Sequence, residues 1–286
     1  MKLISFVTCS FIKKIIVMKT LIFISVTFVF CLNAHSQSGW FSQPSGSGEL
    51  LTSVYFVNNS TGWCVGYNGT ILKTTNGGSS WTAQISGTNS IHFNSVDFSD
   101  VNTGWIAGGF PATILKTTNG GLNWSPSTQS GTTNSLTSIY LIDSNTGWVV
   151  SDVILKTTNG GSNWMTQLSL SGNFLHSICF VNSLTGWTVG TSGKILKTTN
   201  GGSNWVTQVS GTFLTLYSVY FLDVNSGWAV GSSGSHLKTT NGGSNWLYPS
   251  DTITFAGLTS VHFVDSNTGW VTAGGSRIFS IQLMVV

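Results

Sequence analysis

Five lysines occupy the same position of a recurring motif and could together form a ring of positive charge for acidic ligands. They are Lys73, Lys116, Lys156, Lys197 and Lys238, each inside "ILKTTNGG" or a close variant. Lysine on the exposed side of an alternating strand also discourages edge pairing between sheets. A structural role, solvating a strand edge, therefore competes with the ligand ring. Three residues that break the repeat are the other binding candidates: Asp97, Asp152 and His262.

Hydrolytic chemistry would need two carboxylates, about 5 to 9.5 Å apart in glycoside hydrolases. The carboxylates outside a repeated turn series are Glu49, Asp97, Asp152 and Asp251. Asp97 stands on a first strand, expected to line a central channel, where other repeats have tyrosine. A single replacement of this kind is more often tolerated variation than catalysis. We therefore predict no catalytic residue.

Metal and cofactor sites have little support. The histidines after residue 37 share no close ligand spacing; they are His92, His176, His236 and His262. No phosphate-binding loop, dinucleotide fingerprint or Ser-His-Asp arrangement is present. We expect neither a metal nor a cofactor.

An internal repeat organises the elements that position these residues. Its motif asparagine recurs at Asn76, Asn119, Asn159, Asn200 and Asn241, and a second marker, "TGW" or "SGW", recurs six times. Each unit, about 41 residues long, reads as four short strands separated by turns, as in "TSVYFV", "GWCVGY", "TILKTT" and "SWTAQIS". Four antiparallel strands per unit of this length are typical of a β-propeller blade. We predict an all-β propeller of six blades.

One repeat unit is divided between the two ends of the sequence, and this division predicts how the ring closes. The segment around Trp40 resembles the last strand of a unit, and the sixth unit lacks that strand. We expect the N-terminal strand to complete the last blade, with a truncated seven-bladed propeller as the alternative. A frameshift that replaces a sixth motif near Ile281 is a further hypothesis, which the nucleotide sequence would test.

The motif Thr-x-Asn-Gly-Gly-x-x-Trp resembles the Asp-box of sialidases and sortilin-type receptors, with asparagine in place of aspartate. The resemblance implies a turn between the third and fourth strands of a blade. Threonine and asparagine side chains then bond nearby backbone groups, glycine takes positive φ, and tryptophan packs between blades. The expected structural residues are Thr74, Asn76, Gly78, Trp81, Thr117, Asn119, Gly121, Trp124, Thr157, Asn159, Gly161, Trp164, Thr198, Asn200, Gly202, Trp205, Thr239, Asn241, Gly243 and Trp246.

The order of elements, "GW.VG..G.ILKTTNGG..W", is also similar to the photosystem II assembly and stability factor family of propellers. This resemblance spans nearly all of residues 39 to 280. It implies a propeller that binds protein, and an assembly role is one alternative function. Sialidases of the Asp-box type clamp their substrate with three arginines, but after residue 36 the chain has only Arg277 and a single glutamate, Glu49. Sialidase activity is therefore not expected, and an Asp-box glycoside hydrolase remains the second alternative.

The N-terminal segment predicts export. Residues 18 to 37 carry a basic start, an apolar run and a small-residue site, so we expect a signal peptide over residues 1–36, with Met18 a plausible true start. Residues 37–286 form the propeller domain, whose net charge is about −1. Nucleic-acid binding, which needs clustered basic residues, is not expected. We predict a secreted, periplasmic or cell-surface monomer that binds a protein or glycan partner, without enzymatic activity and without membrane-embedded segments after cleavage.

Overall fold

The chain forms six antiparallel sheets, here called blades 1 to 6, each built from consecutive strands. The computed structural model describes residues 42–127, 131–248, 256–274 and 280–284. Blades 1 and 2 contain β1 (Leu51–Phe56), β2 (Gly62–Gly66), β3 (Ile71–Thr74), β4 (Thr82–Gln84), β5 (Phe93–Phe98), β6 (Gly104–Gly108), β7 (Thr113–Thr117) and β8 (Ser125–Ser127). Blades 3 and 4 contain β9 (Ser138–Leu141), β10 (Gly147–Val150), β11 (Val153–Thr157), β12 (Met165–Ser169), β13 (Leu175–Phe180), β14 (Gly186–Gly190), β15 (Ile195–Thr198) and β16 (Val206–Gln208). Blades 5 and 6 contain β17 (Leu216–Phe221), β18 (Gly227–Gly231), β19 (His236–Thr239), β20 (Leu258–Phe263), β21 (Thr268–Ala273) and β22 (Ser280–Met284).

Within a blade, burial falls from the second strand outward. Every residue of β2, β6, β10, β14 and β18 is buried, whereas the fourth strands are mostly exposed. The glycine before the strand-two tryptophan is required by packing, because a Cβ on Gly62 would lie 2.5 Å from the Phe56 ring. Blade 5 has a single bridge, between Lys238 and Leu247, in place of a fourth strand.

The blades follow one another around an axis, since the first strand of each packs against the first strand of the next. These contacts join β1 to β5, β5 to β9, β9 to β13, β13 to β17 and β17 to β20. First strands near the axis, fourth strands outside and radial repetition define a β-propeller. The predicted fold class and the six blades are confirmed.

Residues 42–50 take the position of an outer strand and linker that precede blade 1. The Ser45 hydroxyl donates to the carbonyl of Ser47, as the Ser86 hydroxyl donates to that of Thr88 in the next linker. Gln43 lies beside Gly78 as Gln84 lies beside Gly121. These two contacts match those of the corresponding linker between blades 1 and 2, and the N-terminal strand that would complete blade 6 stays a prediction.

Closure of the ring depends on residues outside the described ranges. Among the described strands, no packing as extensive as that between consecutive blades joins β20 back to β1. Trp40, whose strand is expected to complete blade 6, is not described, nor are residues 1–36, Asp251 and Arg277. The closure through Trp40 and the truncated seven-bladed alternative stay predictions from the sequence.

Within the described part of the chain, no helix has the length and apolar character to cross a bilayer. The two cysteines there, Cys64 and Cys179, are buried and free.

Candidate functional site

Each motif turn is closed by its own threonine and asparagine side chains. In blade 1 the Thr74 hydroxyl accepts the backbone N–H of Gly78 at 2.9 Å and donates to Asn76 Oδ1 at 2.9 Å. Asn76 Oδ1 also accepts the N–H of Ser80 at 2.9 Å. Gly77 and Gly78 have φ of 69° and 88°, the left-handed region that glycine adopts without strain.

The other four turns repeat these bonds. The glycine N–H reaches the threonine hydroxyl, and the asparagine side chain accepts the N–H four residues on; the turns begin at Thr117, Thr157, Thr198 and Thr239. The polar side-chain oxygens of the motif are therefore engaged within the turn. This leaves the motif little capacity to bind a ligand.

The aromatic residues of the repeat form stacks between blades. Trp63 of blade 1 lies flat on Phe98 of blade 2, with ring centroids 3.6 Å apart, and Trp124 meets the same Phe98 edge-on at 5.9 Å. Equivalent flat stacks join Trp148 to Phe180, Trp187 to Phe221 and Trp228 to Phe263. Trp124, the motif tryptophan of blade 2, thus packs against the cluster that Trp63 and Phe98 form between blades 1 and 2.

The lysine series lies at the same interfaces rather than at solvated strand edges. Lys73 Nζ donates to the carbonyl of Gly120 in the next blade at 2.8 Å, and it lies 5.2 Å from the Trp63 ring centroid. Corresponding bonds run from Lys116 to Gly160, from Lys156 to Gly201 and from Lys197 to Gly242. Partial burial lowers the pKa of these four lysines.

The sequence did not predict this link for these four lysines. Each ammonium connects one blade to the next through a hydrogen bond and a cation–π contact, and the ring for acidic ligands stays a prediction. The sequence signal that could have found this link is the co-occurrence of lysine, "TGW" or "SGW" tryptophan and "NGG" in five of the six units. Lys238 is the exception, because it has no such carbonyl partner among the described residues.

Asp97 is buried between blades 2 and 3 and does not face the channel. Its Oδ2 accepts the N–H of Leu141 in blade 3 at 2.7 Å, and Oδ1 accepts the N–H of Phe98 at 2.9 Å. Tyr140, at the same repeat position, similarly bonds the carbonyl of Phe180 in the following blade at 2.6 Å. Desolvation raises the pKa of Asp97 to about 7. The channel-lining position expected from the sequence is wrong, because this side chain points into the neighbouring blade.

The other two one-off residues lie apart from Asp97. Asp152, in the loop between β10 and β11, accepts hydrogen bonds from Thr132 at 2.8 Å and Asn134 at 2.7 Å. His262 is half-buried 4.5 Å from the Tyr220 ring, and desolvation lowers its pKa to about 4. These three residues occupy three different interfaces or loops. They do not form a single site.

The exposed aspartates of the "D-x-N-T-G-W" series cap the turns between the first and second strands. In each case Oδ1 accepts the backbone N–H groups two and three residues on, for Asp100, Asp143, Asp223 and Asp265. No group of three or more His, Cys, Asp or Glu side chains suited to a metal occurs among the described residues.

One face of the propeller is here called the loop face. It is formed by the loops between second and third strands and by the linkers between blades, which bond one another, as Thr191 N does to Phe174 O. The opposite face, the turn face, carries the motif turns. The loop face exposes large side chains: Phe213 is 93% exposed and Phe110 79%.

Two aromatic pairs also lie on the loop face. His176 and Tyr217, each the second residue of a first strand, lie with ring centroids 5.5 Å apart. Tyr67 stacks on His92 at 4.1 Å. The sequence did not predict this surface, because its exposed aromatic residues lie outside the repeated positions. The available signal was the linkers themselves, where "SGNFLHS" and "SGTFLTLYS" replace small polar residues by aromatic ones.

Comparison with known proteins agrees with this architecture. A model of the family described as photosynthesis system II assembly factor YCF48 matches residues 32–130 and 165–250, which is more than half of the chain. The chain belongs to this family. YCF48 from Cyanidioschyzon merolae is similar in structure, with a TM-score of 0.69 at 18% sequence identity over 86% of each chain. No curated protein matches the sequence significantly.

Other solved structures extend the likeness beyond the YCF48 family. The GH74 enzyme of Niastella koreensis has a TM-score of 0.65 at 18% identity, covering 80% of this chain and 44% of the enzyme. A YCF48 bound to a D1 peptide has a TM-score of 0.49 at 21% identity, covering 85% of this chain and 95% of that one. At these identities the likenesses show the fold alone, and the last superposition is too poor to carry an argument.

Proposed function

We propose that this chain is a non-enzymatic, exported propeller of the YCF48 family that binds a protein partner through its loop face. The observation that carries the proposal is the difference between the two faces. The side chains that recur in the repeat are hydrogen-bonded within turns or between blades, whereas aromatic side chains outside the repeat are exposed on the loop face.

The chemistry of the loop face suits a protein partner. Phe213 and Phe110 are exposed far beyond the usual extent for phenylalanine, and aromatic residues are enriched at protein interfaces. The family description, an assembly factor, also favours a protein partner. A glycan partner is the less supported choice, although aromatic rings also stack on sugars.

Enzymatic hydrolysis has weaker support. Asp97 is bonded to two backbone N–H groups, and Asp152 is bonded to two side chains. The GH74 likeness concerns the fold, on which function is not fixed. We propose that neither aspartate acts on a substrate.

Partner capture with matched surface variants tests the proposal. Phe213→Ser on the loop face should abolish retention of a protein that wild type captures from the source organism's envelope fraction. Leu184→Ser on the turn face, where Leu184 is 57% exposed, should retain it. Both variants should unfold like wild type, because neither side chain is buried.

Three outcomes would contradict the proposal. Equal capture by both variants would remove the loop face from the interaction. Retention or hydrolysis of a polysaccharide, with no protein captured, would favour a glycan-binding or hydrolytic role. Export is tested separately by mass spectrometry of the secreted protein, whose N-terminus should be Gln37.

A further inference from the structure

Each first strand carries a serine, and in blades 1 to 3 the residue before that serine links its blade to the next. In blade 1 the Thr52 hydroxyl donates to the carbonyl of Phe93 at 2.6 Å. Corresponding bonds run from Asn94 to the carbonyl of Leu136 at 2.8 Å and from Thr137 to that of Leu175 at 2.6 Å. The polar side chain at this position is therefore engaged between blades.

Blades 4 and 5 depart from this arrangement, because the same position holds His176 and Tyr217. Among the described residues, neither side chain donates a hydrogen bond to the next blade. Their rings instead meet each other, with centroids 5.5 Å apart and planes tilted by 57°. Tyr217 is 37% exposed. Burial lowers the pKa of His176, so its ring is neutral at pH 7 and carries one N–H.

Two exposed phenylalanines lie on either side of one short loop beside this ring pair. The Phe174 N–H donates to Thr191 Oγ1 at 3.1 Å, and the Thr191 N–H donates to the carbonyl of Phe174 at 2.9 Å. At the other side of the loop, Gly193 lies against the carbonyl of Thr212. Phe213 follows Thr212 and is 93% exposed, and Phe174 is 40% exposed. Phe174 is also only two residues from His176.

This part of the loop face carries very little charge. Residues 170–176, 191–194 and 209–217 include one residue that is charged at pH 7, Lys194, and no acidic residue. A strongly charged partner segment would lose its hydration here without gaining opposite charges. The surface therefore matches a segment that is itself uncharged and apolar.

Resting on the proposed function, we propose that His176, Tyr217 and Phe174 bind a proline-rich segment of the protein partner in the polyproline II conformation. This conformation has no internal hydrogen bonds, so its backbone carbonyls accept bonds from outside. The Tyr217 hydroxyl and the His176 N–H are the donors, and the tilted rings are the apolar walls for pyrrolidine rings. Aromatic-lined grooves are a recurring means of recognising such segments. A glycan presents many hydroxyl groups and would need more polar partners than these two.

The probe is an oligoproline with blocked termini, about nine residues long, which makes three turns of polyproline II. A glycine–serine peptide of the same length offers similar backbone carbonyls without the preformed helix or its rings. Binding to the full chain is measured by calorimetry and by the ring resonances of His176 and Tyr217.

Oligoproline should shift both sets of ring resonances, and the glycine–serine peptide should not. Tyr217→Ala should weaken binding about tenfold or more, as expected for an aromatic residue at the centre of a contact. Tyr217→Phe keeps the ring but loses the hydroxyl donor, so it should weaken binding severalfold. Tyr67→Ala is the matched control, since it removes a tyrosine from the other ring pair of the same face, and it should bind like wild type.

The proposal is overturned if oligoproline binds no better than the glycine–serine peptide, or if Tyr217→Ala and Tyr67→Ala bind alike. Tighter binding of a soluble cello-oligosaccharide than of oligoproline would also overturn it, in favour of a glycan. Because Tyr217→Phe preserves the packing of the ring, its affinity decides the role of the hydroxyl even if Tyr217→Ala does not fold. Capture of a partner that Phe213→Ser loses, without any binding of oligoproline, would refute this proposal and leave the proposed function standing.

Discussion

Replacing Asp97 by asparagine should change how the stability of the protein depends on pH. Burial raises the pKa of this carboxyl from an ordinary value of 3.8 to about 7. Below pH 3.8 the carboxyl is protonated in both the folded and the unfolded chain, and stability is at its full value. Between pH 3.8 and 7 the unfolded chain releases the proton while the folded chain keeps it. Stability is therefore lost as pH rises through this window.

The size of the effect follows from the same values. One pKa unit is worth about 1.4 kcal/mol, so a carboxyl whose pKa rises by about three loses roughly 4 kcal/mol of stability by pH 8. Asparagine cannot ionise and escapes this loss. It does place an NH₂ group against one of the two backbone donors of Phe98 and Leu141, at a pH-independent cost of about 1–3 kcal/mol.

Urea unfolding followed by tryptophan fluorescence at pH 4.5 to 8 gives the difference between variant and wild type. The free energy of unfolding of Asp97→Asn, relative to wild type, should rise by about 3 kcal/mol across this range, because roughly 1 kcal/mol of the loss in wild type has already occurred at pH 4.5. Asp223→Asn is the control. Backbone hydrogen bonds from Asn225 and Ser226 lower the pKa of Asp223, so it is ionised in both states throughout and its difference should stay constant. Parallel curves for Asp97→Asn and wild type would refute the account of Asp97.

The interblade links and the turns make further predictions. Lys116→Met removes the bond to Gly160 and a cation–π contact, and it should cost about 1–3 kcal/mol in urea unfolding; Lys194→Met should stay within about 0.5 kcal/mol. Gly202→Ala forces a φ of 88° on alanine and sets its Cβ 2.8 Å from Trp148 Nε1, so the free energy of unfolding should fall by about 1–3 kcal/mol and the melting temperature should fall with it. A neutral result at Gly202 would show that the turn relaxes freely.

The sequence repeat predicted the propeller because most of the recurring residues determine the local conformation of turns and strands. Thr74, Asn76 and Gly78 lie within five residues of one another, and their turn bonds follow from side-chain chemistry and spacing alone. The strands are predicted by the alternation of apolar and polar residues in the segments between short turns. Local hydrogen bonds of this kind can be predicted from the sequence of one unit, and the recurrence of the same residues in the other units supports the prediction.

Interactions between blades could not be predicted from the sequence of one unit. Lys73 donates a hydrogen bond to Gly120 in the next unit. The alternation of apolar and polar residues predicts on which side of a strand a residue lies, but it does not predict which residue of the next blade that side chain contacts. The direction of the Asp97 side chain, towards Leu141 rather than the channel, has the same cause. The loop face was missed for a different reason, since exposed aromatics such as Phe213 carry no periodic signal.

Two departures from the repeat meet at one interface, and their contact explains why they occur together. Blade 2 has Asp97 where three other blades have tyrosine, and blade 3 has Leu141 where the other five have phenylalanine. Asp97 accepts the backbone N–H of Leu141, and Trp105 packs on Leu141 in place of the flat stack with phenylalanine. The interface between blades 2 and 3 therefore combines a buried carboxyl with a smaller side chain. At this boundary the two departures are in contact, because the first strand of each blade packs against the first strand of the next.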